Sequence, residues 1–148
     1  MPLILLLPLL ALAGGCADPC ATPENEKVLA AAAAEKGAVR TESGLVFRQI
    51  KAGLGPKPEP RHRVRVLYEG RLPDGTVFDS SEKQGRSAEF KLSGVIPGWV
   101  EGLQMLSGGG KAKLTIPPDL AYKKKGKPGK IPPCSVLIFE IELLGISD

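Results

Sequence analysis

The amino-acid sequence predicts an α+β domain in which an antiparallel β-sheet folds over one short α-helix. Apolar and polar residues alternate over residues 45–50, 64–72, 111–116 and 135–144, which is the pattern of half-buried strands. One stretch between them, residues 97–106, instead carries its apolar residues at helical spacing. A chain of 148 residues offers enough apolar surface for one domain with a single core.

Composition narrows the chemistry that such a domain can perform. The 20 Lys and Arg against 16 Asp and Glu give a net charge of +4, which does not by itself indicate a nucleic-acid partner. The single histidine, His62, and the cysteines at 16, 20 and 134 form neither a zinc-ligand pattern nor a nucleophile-histidine pattern. We therefore expect a function without metal, cofactor, nucleophile or nucleic acid.

The N-terminus predicts export. Residues 1–13 are almost wholly apolar, but the run is too short to span a bilayer and Pro8 interrupts it. Residues 12–16, Leu-Ala-Gly-Gly-Cys, resemble the lipobox of bacterial lipoproteins, although no Lys or Arg precedes the apolar run. We expect residues 1–15 to be a lipoprotein-type signal peptide, and Cys16 to carry the lipid that anchors the protein to a membrane of the cell envelope, facing the periplasm. The alternative is a secreted protein whose cleaved signal merely ends near Cys16.

Residues 16–43 are expected to form a tether with a short nascent helix. Thr22 can cap this helix, and Pro23 suits its first position. An alanine-rich helix with so little apolar surface is marginal in water. Cys20 and Cys134 are expected to remain thiols. A bond between them is possible but unsupported, because the sequence does not show whether the tether folds back.

Residues 44–148 contain the predicted sheet. Prolines separate the first two strands, and Tyr68 continues the buried face of the second. Proline, aspartate and glycine at residues 73–75 predict a turn, because proline presets φ and glycine accepts a positive φ. Residues 76–80 and 88–92 are predicted as two further short strands.

The stretch around Trp99 predicts the short helix and a pocket. Pro97 suits the first helical position, where its missing N–H would be unpaired anyway. Trp99, Leu103 and Leu106 then follow on one face, before a serine and three glycines end the helix. We interpret Trp99 as the floor of a pocket, while the ordinary alternative is a tryptophan that only fills the core.

Several segments together match a known family. They are residues 64–70, Val-Arg-Val-Leu-Tyr-Glu-Gly, residues 74–81, Asp-Gly-Thr-Val-Phe-Asp-Ser-Ser, and residues 95–99, 109–111, 116–122, 131–133 and 137–140. In this order and without large gaps, they resemble the signature of FKBP-type peptidyl-prolyl cis/trans isomerases. The resemblance implies a twisted antiparallel β-sheet wrapped around one short α-helix, with the isomerase domain at residues 44–148.

The resemblance also implies the binding pocket. Its residues would be Tyr68, Phe78, Asp79, Val95, Ile96, Trp99, Tyr122, Ile131 and Phe139. The Ile96 N–H and the Tyr122 hydroxyl would hold substrate carbonyls, so these two residues and Asp79 are the candidates for catalysis. Asp79 would orient the site through a hydrogen bond with Tyr68, unless it only caps the turn beside Ser80.

Three positions depart from the family pattern. Ala88 stands where many members carry an aromatic wall residue, Lys123 replaces the glycine usual after Tyr122, and Lys127 lies where some members have histidine. These differences are expected at the rim, where they affect substrate preference and inhibitor affinity more than activity itself.

The implied function is isomerisation of X-Pro bonds in exported proteins. Expected partners are proline-containing unfolded or exported polypeptides. Macrolides such as rapamycin or tacrolimus would bind the pocket and inhibit the isomerase activity. The alternative is a non-catalytic chaperone or binding module that holds proline segments in the same pocket.

A run of lysines follows Tyr122. Lys123, Lys124, Lys125, Lys127 and Lys130 share a loop that contains two glycines and a proline. Such a run usually only keeps a loop solvated. The alternative is a basic lip on the pocket that attracts acidic clients or anionic surfaces.

Overall fold

The structure is a computed structural model that describes residues 18–82 and 85–148. Within these ranges it has two α-helices and seven β-strands. In chain order they are α1 Pro23–Ala33, β1 Ala38–Arg40, β2 Val46–Lys51, β3 Arg63–Arg71, β4 Val77–Ser80, β5 Ala88–Lys91, α2 Pro97–Leu103, β6 Lys111–Ile116 and β7 Leu137–Ser147. Neither helix in these ranges is long and apolar enough to cross a membrane. The predicted signal peptide and Cys16 lie outside the described residues.

The strands form one antiparallel sheet in the order β1-β2-β6-β7-β3-β4, and β5 pairs with β3 beside this path. The C-terminal strand β7 is therefore central, with β6 on one side and β3 on the other. Each strand that alternation predicted is present, and no end differs from its predicted position by more than three residues. The arrangement confirms the predicted α+β class.

The helix α2 packs against the inner face of the sheet. Trp99, Leu103 and Leu106 are all buried there, as their spacing predicted. The helix ends at Leu103, earlier than expected, yet Leu106 still reaches the core from the following turn. Gly98 and Gly102 permit this packing, because a Cβ atom at either position would lie within 2.5–2.7 Å of side chains on β6.

The N-terminal segment packs on the opposite face of the sheet. Thr22 caps α1 as predicted, since its Oγ1 accepts a hydrogen bond from the Asn25 N–H at 3.2 Å. Buried apolar residues join the helix to the sheet: Leu29 and Ala32 of α1, Val46 of β2, and Val136 before β7. From residue 20 to residue 40 the segment is therefore part of the domain, which differs from the expected tether.

Covalent and polar contacts hold this segment in place. A disulfide joins Cys20 to Cys134, which lie 114 residues apart in sequence, so the expectation that both remain thiols was wrong. The Asn25 side-chain amide donates to the carbonyl oxygens of both cysteines, each at 2.9 Å. At the other end of the helix, Lys113 of β6 donates to Glu35 at 2.8 Å. Partners so distant in sequence stabilise a helix that is marginal in isolation.

Candidate active site

A cavity of about 530 Å³ opens on the inner side of the sheet next to α2. Its lining includes all nine pocket residues that the family resemblance implied: Tyr68, Phe78, Asp79, Val95, Ile96, Trp99, Tyr122, Ile131 and Phe139. Phe90, Gly94, Lys127 and Lys130 complete the lining. The cavity therefore lies where the chain brings its aromatic residues together.

Strand alternation places two of the walls. Tyr68 follows Val64 and Val66 on the buried face of β3, and Phe139 lies on the buried face of β7. Gly70 of β3 leaves room for the rings, because a Cβ atom there would lie 2.6 Å from both Phe139 Cε1 and Phe78 Cζ. The absence of a side chain at this position therefore allows two pocket walls to approach β3.

Trp99 forms the floor of the cavity and is only 4% exposed. Its ring centroid lies 5.1 Å from that of Tyr68, 5.2 Å from Phe139 and 5.6 Å from Phe90, each in edge-to-face geometry. Such contacts are favourable because the positive edge of one ring meets the negative face of another. The Trp99 Nε1 atom is buried and meets no acceptor within the described residues.

Asp79 is hydrogen-bonded to Tyr68. The Tyr68 hydroxyl donates a hydrogen bond to Asp79 Oδ2 at 2.8 Å, as the resemblance implied. Ser81 supports the tyrosine from behind, since its Oγ accepts from the Tyr68 N–H at 3.0 Å. The carboxylate thus has a fixed place in the wall of an otherwise mainly apolar cavity.

Two hydrogen-bond donors line the cavity near the start of α2 and in the loop after β6. The Ile96 carbonyl accepts from the N–H groups of Trp99 and Val100, which begins α2. The Ile96 N–H itself pairs with no acceptor in the part of the chain that the structure describes. Tyr122 is half-buried and its side chain also lines the cavity. An amide group in the cavity would have two donors available, the Ile96 N–H and the Tyr122 hydroxyl.

Phe90 supplies an aromatic wall of the cavity that was not among the predicted pocket residues. Ala88 is buried opposite Val66 in the sheet, while Phe90 lies two residues further along the same face of β5. Phe90 lines the cavity and stands edge-on to Trp99. Ala88 itself is buried and does not line the cavity, so the expectation that it lies at the rim was wrong. Alternation between Ala88 and Phe90 on one face and Glu89 and Lys91 on the other was the signal that could have located this wall.

The other two departures lie in the loop after Tyr122. Lys123 has a φ of 55°, a left-handed conformation that glycine adopts at lower cost than lysine. Its carbonyl accepts a hydrogen bond from the N–H of Cys134 at 2.9 Å. Lys127 lines the cavity, whereas Lys123 does not.

Comparison with known proteins gives consistent matches. A family model described as FKBP-type peptidyl-prolyl cis-trans isomerase matches residues 55–144. The FKBP-type 22 kDa peptidyl-prolyl cis-trans isomerase of Escherichia coli strain K12 is 52% identical over 123 residues, which cover 83% of this chain and 60% of that protein. The isomerase FkpA of the same organism is 50% identical over 114 residues, covering 77% of this chain and 42% of FkpA.

Solved structures agree with these sequence matches. The crystal structure of Escherichia coli FkpA superposes with a TM-score of 0.82 at 45% identity, covering 84% of this chain and 58% of that one. AtFKBP13 gives a TM-score of 0.69 at 36% identity and is covered over 98% of its chain. This chain spans about half the length of the two Escherichia coli relatives. Sequence, fold and aromatic cavity agree, and the chain belongs to the FKBP-type peptidyl-prolyl cis-trans isomerase family.

Proposed function

We propose that this chain accelerates rotation about peptide bonds that precede proline. The observation that carries the proposal is the cavity in which Trp99 lies between Tyr68, Phe90 and Phe139. A mainly apolar enclosure with a few fixed polar groups is typical of a ligand site. A proline ring is compact and apolar, so it can rest on the indole floor with the edges of the aromatic walls around it.

The chemistry requires no broken bond. Amide resonance opposes the rotation with a barrier of about 18–20 kcal/mol, so the uncatalysed step takes tens to hundreds of seconds. The twisted amide has lost this resonance and is less polar at its oxygen than the planar amide. A cavity that excludes water therefore disfavours the planar ground state relative to the transition state.

A rate increase of about 10⁵-fold needs about 7 kcal/mol of differential stabilisation. Shape and desolvation supply part of it. The Ile96 N–H and the Tyr122 hydroxyl would supply the rest by holding carbonyl groups on either side of the rotating bond. Asp79, held by Tyr68 at 2.8 Å, would act through its charge and its orientation of that wall.

The substrates proposed for this site are proline-containing segments of unfolded or exported polypeptides. The same cavity would accept macrolides such as rapamycin or tacrolimus, which would compete with peptide. A purely holding function uses the same pocket, but no feature of the described residues favours it over catalysis.

A proline-peptide assay tests the proposal directly. The purified protein should raise the cis-to-trans rate of an Ala-Leu-Pro-Phe peptide above its spontaneous value, and a macrolide should return the rate to that value. A peptide that binds while its rate stays spontaneous would show a binding module instead.

Variants separate the roles of the pocket residues. Trp99→Ala should weaken folding and binding together, because truncating a buried tryptophan costs about 3–5 kcal/mol. Tyr122→Phe should mainly slow turnover, since it removes one hydrogen bond worth about 0.5–1.5 kcal/mol. Asp79→Ala should likewise reduce turnover more than stability. Equal losses of stability in all three variants would contradict these roles.

We further propose that the protein works in the cell envelope, anchored through lipid on Cys16. The apolar N-terminus and the lipobox-like residues 12–16 support this location. The disulfide between Cys20 and Cys134 also supports it, because such bonds persist in oxidising compartments. Cys16→Ser should move the protein from the membrane fraction to the soluble fraction, and an unchanged distribution would contradict lipid anchoring. Firm anchoring requires more than one fatty chain.

A further inference from the structure

The loop that follows Tyr122 brings lysines to the mouth of the cavity. All five lysines of residues 123–130 are exposed. Two of them, Lys127 and Lys130, line the cavity itself, and we call this pair the lysine lip. The other three are not part of that lining, so two of the five lysine charges lie at the cavity.

The backbone that carries the lysine lip is well ordered by its own hydrogen bonds. Lys127 and Ile131 exchange both backbone hydrogen bonds at 2.8 Å, and the Lys130 N–H donates to the Lys127 carbonyl at 3.0 Å. Gly126 closes the loop with a φ of 64°, and a Cβ atom there would overlap the Ile131 carbonyl oxygen. The two lysines therefore start from fixed positions at the rim.

No ion pair within the described part of the chain neutralises the charge of the lysine lip. No carboxylate lies within ion-pair distance of Lys127 or Lys130 among residues 18–82 and 85–148. The one carboxylate in the cavity lining, Asp79, is bound by the Tyr68 hydroxyl. The Lys127 Nζ lies 6.0 Å from the centroid of the Tyr122 ring, above a residue of the proposed proline site.

We propose that the lysine lip is a subsite for an acidic side chain next to the proline of the bound peptide. This inference rests on the proposed isomerase function. A residue adjacent to proline is only about 3.3–3.6 Å further along an extended chain, so its side chain leaves the cavity across the rim. Asp or Glu at that position places its carboxylate near two ammonium groups that form no ion pair with the described residues.

The expected preference is modest because both lysines are exposed. Attraction between charges in water is weak, and its range falls from about 30 Å at 10 mM salt to about 3 Å at 1 M. At low salt we expect kcat/KM for a Glu peptide to exceed that for its Gln counterpart about threefold, and that for its Lys counterpart about tenfold. Both ratios should approach one in high salt.

Two peptide series test the subsite, with Glu, Gln or Lys either directly before or directly after the proline. Rates are measured by NMR exchange, because a coupled protease would add its own sequence preference. The Lys127→Gln/Lys130→Gln variant should lose the Glu preference. The matched Lys36→Gln/Lys57→Gln variant removes the same charge from exposed lysines outside the cavity lining and should keep it.

The outcomes separate this inference from the proposed function. Normal catalysis of the Gln peptides with no charge preference in either series would overturn the subsite and leave the isomerase function intact. If no peptide is catalysed, the proposed isomerase function is wrong. Peptide affinities, measured by the fluorescence of the single tryptophan, Trp99, then test the subsite through the ratios between the Glu, Gln and Lys peptides. Flat ratios combined with binding to phosphatidylglycerol vesicles, lost in Lys127→Gln/Lys130→Gln, would assign the lysines to a membrane surface instead.

Discussion

Reducing the disulfide between Cys20 and Cys134 would test how strongly the N-terminal segment stabilises the domain. The bond anchors the start of this segment beside the loop that precedes β7. Asn25 reinforces the junction by donating to both cysteine carbonyls at 2.9 Å. Reduction removes only the covalent link, so the remaining contacts of α1 stay available to the folded state.

The size of the effect follows from the sequence separation of 114 residues. Closing a loop of that length in the unfolded chain costs about 4.8 kcal/mol of entropy by the chain-entropy relation, and native disulfides usually contribute about 2–4 kcal/mol. The free energy of unfolding of a typical domain is about 5–15 kcal/mol. We therefore expect reduction to lower this free energy by about 2–4 kcal/mol, a large share of the total.

Denaturant titration with and without dithiothreitol measures this difference, with Trp99 fluorescence as the signal. The Cys20→Ala/Cys134→Ala variant should match the reduced protein and should not respond to the reductant. Alkylation establishes that reduction has released both thiols. An unchanged unfolding midpoint in a protein with both thiols released would refute the reasoning.

Two further predictions concern the pocket wall and the docking of α1. Gly70→Ala should lower kcat/KM and cost about 1–3 kcal/mol of stability, because its Cβ would start 2.6 Å from the rings of Phe78 and Phe139. Gly145→Ala, which meets only ordinary contacts, is the control, and equal activity in both variants would disprove the steric cause. The pKa of Glu35 lies below its usual value of 4.5, chiefly because its carboxylate accepts a hydrogen bond from Lys113 of β6. The stability that ionised Glu35 contributes is present above pH 4.5 and is lost as the pH falls through the lowered pKa. Acid should therefore increase hydrogen exchange in α1, and this increase should be smaller in Glu35→Gln. The same acid response in both proteins would count against this pair.

The sheet was predictable because each strand carries its own pattern. Residues 111–116 alternate lysine with apolar residues, and β6 has these same bounds in the structure. The short strand β1 and the docking of α1 were not predictable in this way. Strand β1 has only three residues, too few to show a period, although its partner β2 is nearby in the chain. The docking of α1 depends on contacts with Val46 and Val136, which no local period reveals.

The candidate site was predictable where continuous motifs carry its residues, as around Trp99 and Tyr122. Phe90 was missed because the family comparison directed attention to Ala88, although strand alternation puts both residues on one face. The pairing of Cys20 with Cys134 could not be derived, since it requires the fold of the N-terminal segment. Local patterns predict which residues face inward, whereas contacts between distant segments decide what meets them there.

The central position of β7 has a consequence for how the protein is made. Strands β1, β2 and β6 lie on one side of β7, and strands β3, β4 and β5 lie on the other. The ribosome synthesises all six before β7, the strand that joins the two groups. Arg63 at the start of β3 pairs with Ser147 at the end of β7, so this ladder closes only after the intervening chain has emerged. Phe139 arrives on the same strand and completes the aromatic cavity. A nascent chain that stops before β7 therefore has neither the complete sheet nor the complete aromatic cavity, and the edges of β6 and β3 that face β7 stay unpaired until the last strand emerges.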